Sequence, residues 1–177
     1  MMNKRQPLLS EISRKRKLAL LNEYLAPKSC LLEVGTGDGW FARRLRESGH
    51  DVMTLDLDGP ADVVGNILDW RNLGLENKSF DAVVALEVIE HVDCLDEICV
   101  LCKQDGIIML SSPHPRWDWV MKLLELIHLT QRRTSKHCNL TDFSTINLVH
   151  IVFKRPLFIH QVALFRNARQ PTDPGDA

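Results

Sequence analysis

The sequence predicts a single α/β domain, a doubly wound, mostly parallel sheet that ends in a C-terminal antiparallel hairpin. Short, near-continuous apolar runs alternate with stretches of helical spacing, the pattern of strands buried on both faces. A glycine-rich turn, Gly35-Thr36-Gly37-Asp38-Gly39, follows the first such run. The last two apolar runs have no helix between them, only Lys154-Arg155-Pro156, and a connection that short returns a strand antiparallel to its neighbour.

The elements follow in chain order. Ser10 caps a helix over residues 10–26, with Ile12, Leu18, Leu21 and Leu25 on one side and Pro27 past its end. Its basic run, Arg14-Lys15-Arg16-Lys17, reads as a solvated face. Residues 30–34 form the first strand, 40–48 a helix stopped by Gly49, and 51–57 a second strand closed by Asp58-Gly59-Pro60. Residues 61–64 are a short third strand. So few residues link it to the second that the dozen or so of a normal parallel crossover are missing, and the helix with them. Residues 80–86 are the fourth strand, 90–103 a helix, and 107–110 the fifth strand, introduced by Asp105-Gly106. Over 117–129 the spacing is helical but apolar around most of the circumference, so this helix is deeply packed or covers a pocket. Residues 148–153 and 157–165 are the hairpin strands, and the polar stretch 167–177 is a flexible tail. The domain therefore spans residues 1–166, with 1–27 as an N-terminal helical region.

Composition narrows the class. The 177 residues, 45% hydrophobic and 25% charged, suit one domain of about 150 residues or a little more. Twenty-two basic against 23 acidic residues leave a net charge of -1, with no overall field to grip a polyanion, so nucleic acid is not the expected partner. No apolar stretch approaches the roughly 20 residues of a membrane span. The first residues lack the apolar core and cleavage site of a signal peptide. Five cysteines are an odd number in a chain large enough to need no disulfides. A soluble cytoplasmic protein with reduced thiols is expected.

The chemistry concentrates in Glu33-Val34-Gly35-Thr36-Gly37-Asp38-Gly39. Glycines there let a tight turn form and let backbone approach a ligand, and the helix behind offers free N–H groups. A dinucleotide fingerprint would need glycine where Trp40 stands. A phosphate-binding Walker loop would need Gly-Lys-Ser/Thr. What remains is acidic, any, glycine, any, glycine, any, glycine, with Asp56 at the end of the second strand. This resembles motif I and the ribose-binding carboxylate of class I S-adenosylmethionine-dependent methyltransferases. The block from Ser79 to Val92, with Glu87-Val88-Ile89-Glu90-His91, is similar to the fourth-strand motif of ubiquinone-type O-methyltransferases. Asp105-Gly106-Ile107-Ile108-Met109-Leu110-Ser111-Ser112-Pro113 is similar to the fifth strand, where the family usually has a Gly-Gly pair. The resemblance covers residues 30–115.

It implies a Rossmann-like fold, S-adenosyl-L-methionine as cofactor, and methyl transfer. By the resemblance Glu33 anchors the loop and faces the methionine part, Gly35, Gly37 and Gly39 allow close approach, and Asp56 takes both ribose hydroxyls. Leu57 lies against the adenine, Asn66 contacts its edge, and Glu87 faces the methionine part or the acceptor. A helix beginning near Glu87 would put Glu87, Glu90 and His91 on one face, where two carboxylates and an imidazole can hold a divalent cation. Helix capping and packing is the favoured reading of that block. Cys94, Cys99 and Cys102 have an iron–sulfur spacing, but in a helix without glycine they read as small apolar packing residues.

Transfer to oxygen also needs a base. His114, just after the fifth strand at the carboxyl edge of the sheet, is the first candidate. The Asn/Asp-Pro-Pro-Tyr and Pro-Cys signatures of DNA base methylation are absent from the sequence. The apolar 117–129 segment, with Trp117, Trp119, Met121, Leu124 and Ile127, suggests a small, partly apolar acceptor. Two alternatives stand beside this reading: a non-catalytic cofactor- or protein-binding domain, and an RNA methyltransferase using residues 14–17 as its electrostatic handle.

Overall fold

The computed structural model describes residues 8–113, 142–154 and 160–168. The expected helix over 117–129 and His114 lie outside the described residues, as do the 155–159 connection and the end of the chain.

Seven strands form one sheet: β1 (Cys30–Val34), β2 (Asp51–Asp56), β3 (Val63–Val64), β4 (Phe80–Leu86), β5 (Cys102–Pro113), β6 (Val149–Lys154) and β7 (His160–Arg166). Their order is β3-β2-β1-β4-β5-β7-β6. The junctions from β3 to β5 are parallel, and β7 runs antiparallel to both β5 and β6. The helices are α1 (Leu8–Asn22), α2 (Trp40–Glu47) and α3 (Leu95–Leu101).

Strand alternation sorts the core into two layers, one on each face of the sheet. Leu31, Val52, Ala82, Val84, Met109 and Leu164 meet Leu20 and Leu21 of α1 and Phe41, Ala42 and Leu45 of α2. Leu32, Val34, Val83, Ala85, Ile108 and Phe165 meet Ile98 of α3 together with Trp70 and Phe143. The central strands are therefore apolar at nearly every position.

Five expectations change. The first helix spans Leu8–Asn22 rather than 10–26, so Ser10 lies within it and is not its cap. The fourth-strand motif does not enter a helix directly: Glu87 takes a left-handed φ of 58°, a turn follows, and α3 begins only at Leu95. That helix ends at Leu101 rather than 103, because Cys102 already pairs with Phe80. β5 is correspondingly longer than the expected 107–110, with the register to β4 shifting between Phe80 and Ala82. The segment 103–106 is looped out there. Asn167, expected to begin a frayed tail, is fully buried, and its amide donates to the carbonyls of Cys99, Cys102 and Lys103 at 2.7–3.2 Å.

The missing crossover helix is a matter of geometry. β3 pairs with β2 at only two positions, Leu55↔Val63 and Asp56↔Val64. Residues 57–62 need return the chain only a short way, which a loop achieves. The route from β3 to β4 is likewise a 3-10 turn, Ile67–Asp69, with Ile67, Trp70 and Leu75 filling the layer a helix would occupy.

Candidate active site

The carboxyl ends of β1, β2, β4 and β5 share one edge of the sheet, and β7, being antiparallel, begins at that edge. Ligands bind at such edges in open α/β sheets.

The glycine loop is pinned from below and from the side. Glu33 is 3% exposed, and its Oε2 accepts from the Thr36 hydroxyl and from the Ala42 N–H in the first turn of α2, both at 3.1 Å. Burial pushes its carboxyl up to about 7, against the pull of those two donors. Gly37 donates its N–H to Asp56 Oδ2 at 3.0 Å, so the carboxylate expected to bind ribose also holds the loop. Asp38 accepts from Arg14 of α1 at 2.7 Å; burial opposes its charge, but the guanidinium keeps its carboxyl below the ordinary range.

The three glycines have different jobs. All have positive φ, from 53° to 74°, where a side chain is strained. A Cβ on Gly35 would lie 2.4 Å from Val88 Cγ2, whereas Gly37 and Gly39 face open space. Gly35 is thus required by packing against the turn after β4, a constraint the spacing alone does not reveal. At Gly37 and Gly39 the positive φ alone favours glycine. Leu57, expected against the adenine, is 67% exposed beside Asp56. Asn66 caps the 3-10 turn by accepting from the Leu68 N–H at 3.1 Å, so its carbonyl is partly committed.

The second half of the site surrounds Glu87. Its Oε1 accepts from Lys17 Nζ at 2.9 Å and from the Ser111 hydroxyl at 2.7 Å, and lies 3.6 Å from His160 Nδ1. Lys17 also donates to Ser111 at 2.8 Å. Burial works against the charge on Glu87, but Lys17, His160 and Ser111 together hold its carboxyl well below the usual range. Glu90 is fully buried, and burial plus the neighbouring Glu87 charge push it up to about 8.

The helical face proposed for Glu87, Glu90 and His91 is not formed. These residues lie in the turn before α3, with Glu90 buried and His91 exposed. Among the described residues no group of three or more His, Cys, Asp or Glu side chains is disposed to hold a metal ion. Cys94, Cys99 and Cys102 are all buried. Burial drives the Cys94 and Cys102 thiols up to about 12.

Sequence reasoning missed Lys17, Ser111 and His160. For Lys17 a signal existed: it stands three and four residues before the buried Leu20 and Leu21, which places it on the inner face of α1. The basic run is consequently not one solvated face. Arg14 and Lys17 turn inward to Asp38 and Glu87, while Lys15 pairs with Glu11 on the helix itself.

The profile of a methyltransferase-domain family matches residues 4–149, and the chain belongs to that family, as a class I S-adenosylmethionine-dependent methyltransferase. No curated protein has a sequence significantly similar to this chain. Among solved structures, a protein of Pyrococcus horikoshii is similar at 15% identity and TM-score 0.65, over 92% of both chains. A SAM-dependent methyltransferase of Methanosarcina mazei has 14% identity and TM-score 0.60, over 83% of this chain and 96% of that one. The 1,6-didemethyltoxoflavin-N1-methyltransferase of Burkholderia thailandensis, solved with its substrate and S-adenosylhomocysteine, has 17% identity and TM-score 0.55, over 88% of this chain and 78% of that one. These likenesses concern the fold.

Proposed function

We propose that the chain transfers the methyl group of S-adenosylmethionine to an oxygen or nitrogen of a small, partly apolar acceptor. The observation that carries the cofactor half is the loop–strand-end unit in which Asp56 holds Gly37 while Gly37 and Gly39 leave open space above their backbones. Open glycine backbone beside a half-buried carboxylate fits a nucleoside whose ribose offers two hydroxyls. When bound, the cofactor supplies an electrophilic methyl on a sulfonium.

The chain's own residues do the rest. Asp56 binds the ribose, with Leu57 as an apolar shelf for the base and Asn66 at its edge. Glu33 fixes the loop from below. Glu87 presents negative charge at the end of β4, which suits the ammonium of the methionine part. The site mainly supplies positioning and exclusion of water, the principal aids to an in-line displacement.

Three considerations support a small acceptor over RNA. Arg14 and Lys17 of the basic run are engaged at the site itself and are not offered to a phosphate backbone. The Burkholderia protein was solved with bound 1,6-didemethyltoxoflavin, a small molecule, and the apolar 117–129 sequence follows β5 in the chain.

Calorimetry with S-adenosylmethionine and S-adenosylhomocysteine tests the reading. Both are expected to bind, and Asp56→Ala is expected to weaken both by about 10- to 100-fold, the value of hydrogen bonds to a charged group. Failure of either ligand to bind the parent protein refutes it. Labelled-methyl transfer to a panel of phenols, hydroxy acids and aryl amines then separates small-molecule turnover from a binding-only domain.

A further inference from the structure

The cluster around Glu87 contains more than cofactor binding needs. Its carboxylate Oε1 gathers three nitrogen- or oxygen-bearing groups from three elements: Lys17 of α1, Ser111 of β5 and His160 at the start of β7. Glu90 and Ser112 complete the charged and polar groups near it, and both are fully buried. Lys17 and Ser111 are bonded to each other as well as to Glu87, so neither is free to act on a ligand. His160 differs. Among the described residues its Nδ1 is buried with no hydrogen-bond partner, yet its side chain is 31% exposed. The exposed surface therefore lies on side-chain atoms other than Nδ1.

We infer that His160 is a catalytic residue, the proton acceptor for the incoming hydroxyl or amine, with Glu87 as the positioning residue that holds its Nδ1 side. The inference rests on the methyl-transfer reading above. The separation of 3.6 Å between Nδ1 and Glu87 Oε1 is an ion-pair distance rather than a hydrogen bond, and such contacts commonly tighten when substrate binds. A carboxylate facing Nδ1 favours the tautomer with the proton on Nδ1, which leaves the Nε2 lone pair free. The direction of β7 supports the role. Only a strand antiparallel to β5 places its first residue, paired with Pro113, at the edge where β4 and β5 end.

The step balances without any other reagent. The Nε2 lone pair takes the acceptor's proton as the acceptor's lone pair forms a bond to the methyl carbon. The carbon–sulfur bond breaks, its electron pair remaining on sulfur. The products are the methylated acceptor, S-adenosylhomocysteine and an imidazolium, which returns its proton to water.

Long-range proton–nitrogen NMR correlation tests the arrangement without needing the natural acceptor. The His160 signals are identified by their loss in His160→Gln. Recorded at pH 8, with and without S-adenosylhomocysteine, the parent is expected to show mainly the Nδ1–H tautomer, and Glu87→Gln to shift it toward Nε2–H. A parent ring in the Nε2–H form, or one unaffected by Glu87→Gln, overturns the inference. In calorimetry His160→Gln is expected to bind S-adenosylhomocysteine within about twofold of the parent; a loss of about tenfold (~1.4 kcal/mol) overturns it by making His160 a cofactor ligand. A parent that binds no S-adenosylhomocysteine refutes the proposed function instead, and the tautomer spectrum reads independently of that result. On any acceptor from the panel that turns over, His160→Gln should lower kcat by about 100-fold or more while KM for the cofactor stays level. An unchanged kcat overturns the role.

Discussion

Asp56 ties the Gly37 N–H from the side and, on the proposed function, also accepts from ribose, and conservative variants separate the two tasks. Asp56→Asn keeps an oxygen for Gly37 and one for a hydroxyl, so its affinity for S-adenosylhomocysteine should fall less than that of Asp56→Ala, which loses both. Gly37→Ala should act differently again: its Cβ meets nothing, but its φ of 53° costs a side chain about 1–2 kcal/mol, and the methyl stands where the ligand approaches. Titration calorimetry and urea unfolding on the same samples check this. Equal affinity in Asp56→Asn and Asp56→Ala would show that the carboxylate serves only the loop. At this scale the sequence was legible in the tight turn it predicted after β1, where Gly37 and Gly39 take positive φ. It was less legible where a tertiary neighbour dictates the type: Gly35 is glycine because Val88, 53 positions away in the chain, occupies its Cβ space.

Elements were read correctly where apolar runs were continuous, as in β1, β2 and β4, and misread where a local interruption has a tertiary partner. The segment 103–106 is such an interruption. It is closed by the Lys103–Asp81 ion pair at 2.7 Å and the Asn167 amide, neither visible in local spacing. A Cβ on Gly106 would lie 2.7 Å from Cys102 Sγ and 2.9 Å from two backbone carbonyls, so Gly106→Ala should destabilise by about 1–3 kcal/mol and leave cofactor affinity per folded molecule unchanged. Thermal or urea unfolding reads the first, calorimetry the second. The helix α1 makes a second case. Its tie to the sheet includes the Lys17–Glu87 pair, with Lys17 nearly buried and the Glu87 side chain 36% exposed. Lys17→Met keeps the apolar stem and leaves the carboxylate without its cation, a loss of about 1–3 kcal/mol once solvent access to Glu87 is allowed for. Combined with Glu87→Gln, the two losses should be well short of additive. Additive losses would mean that the pair contributes no coupling.

Among the described residues two opposed sets of carboxyls are shifted, and together they give an expected dependence of stability on pH. Asp38, Asp62, Asp81 and Glu87 titrate below their ordinary values, held there by Arg14, Thr54 and Arg46, Lys103, and Lys17 respectively. The folded state keeps these groups charged more readily than the unfolded chain does, so their contribution is present above about pH 4–5 and is lost as pH falls. Glu33 and Glu90 oppose them. Burial raises their carboxyls to about 7 and about 8, so between the unfolded value of 4.5 and those limits the folded protein holds protons that the unfolded chain has released. Stability therefore falls as pH rises through that window, by about 2–3 kcal/mol for Glu33 alone. The maximum is expected near pH 5, with a decline to pH 8. Glu33→Gln removes one titration while its amide oxygen still accepts the Ala42 N–H, so the variant's stability should fall less between pH 5 and pH 8 than the parent's. Urea unfolding of both proteins across pH 4–8 decides the matter. A parent whose unfolding free energy is level or rising from pH 5 to pH 8 would show that these two carboxyls are charged in the folded state.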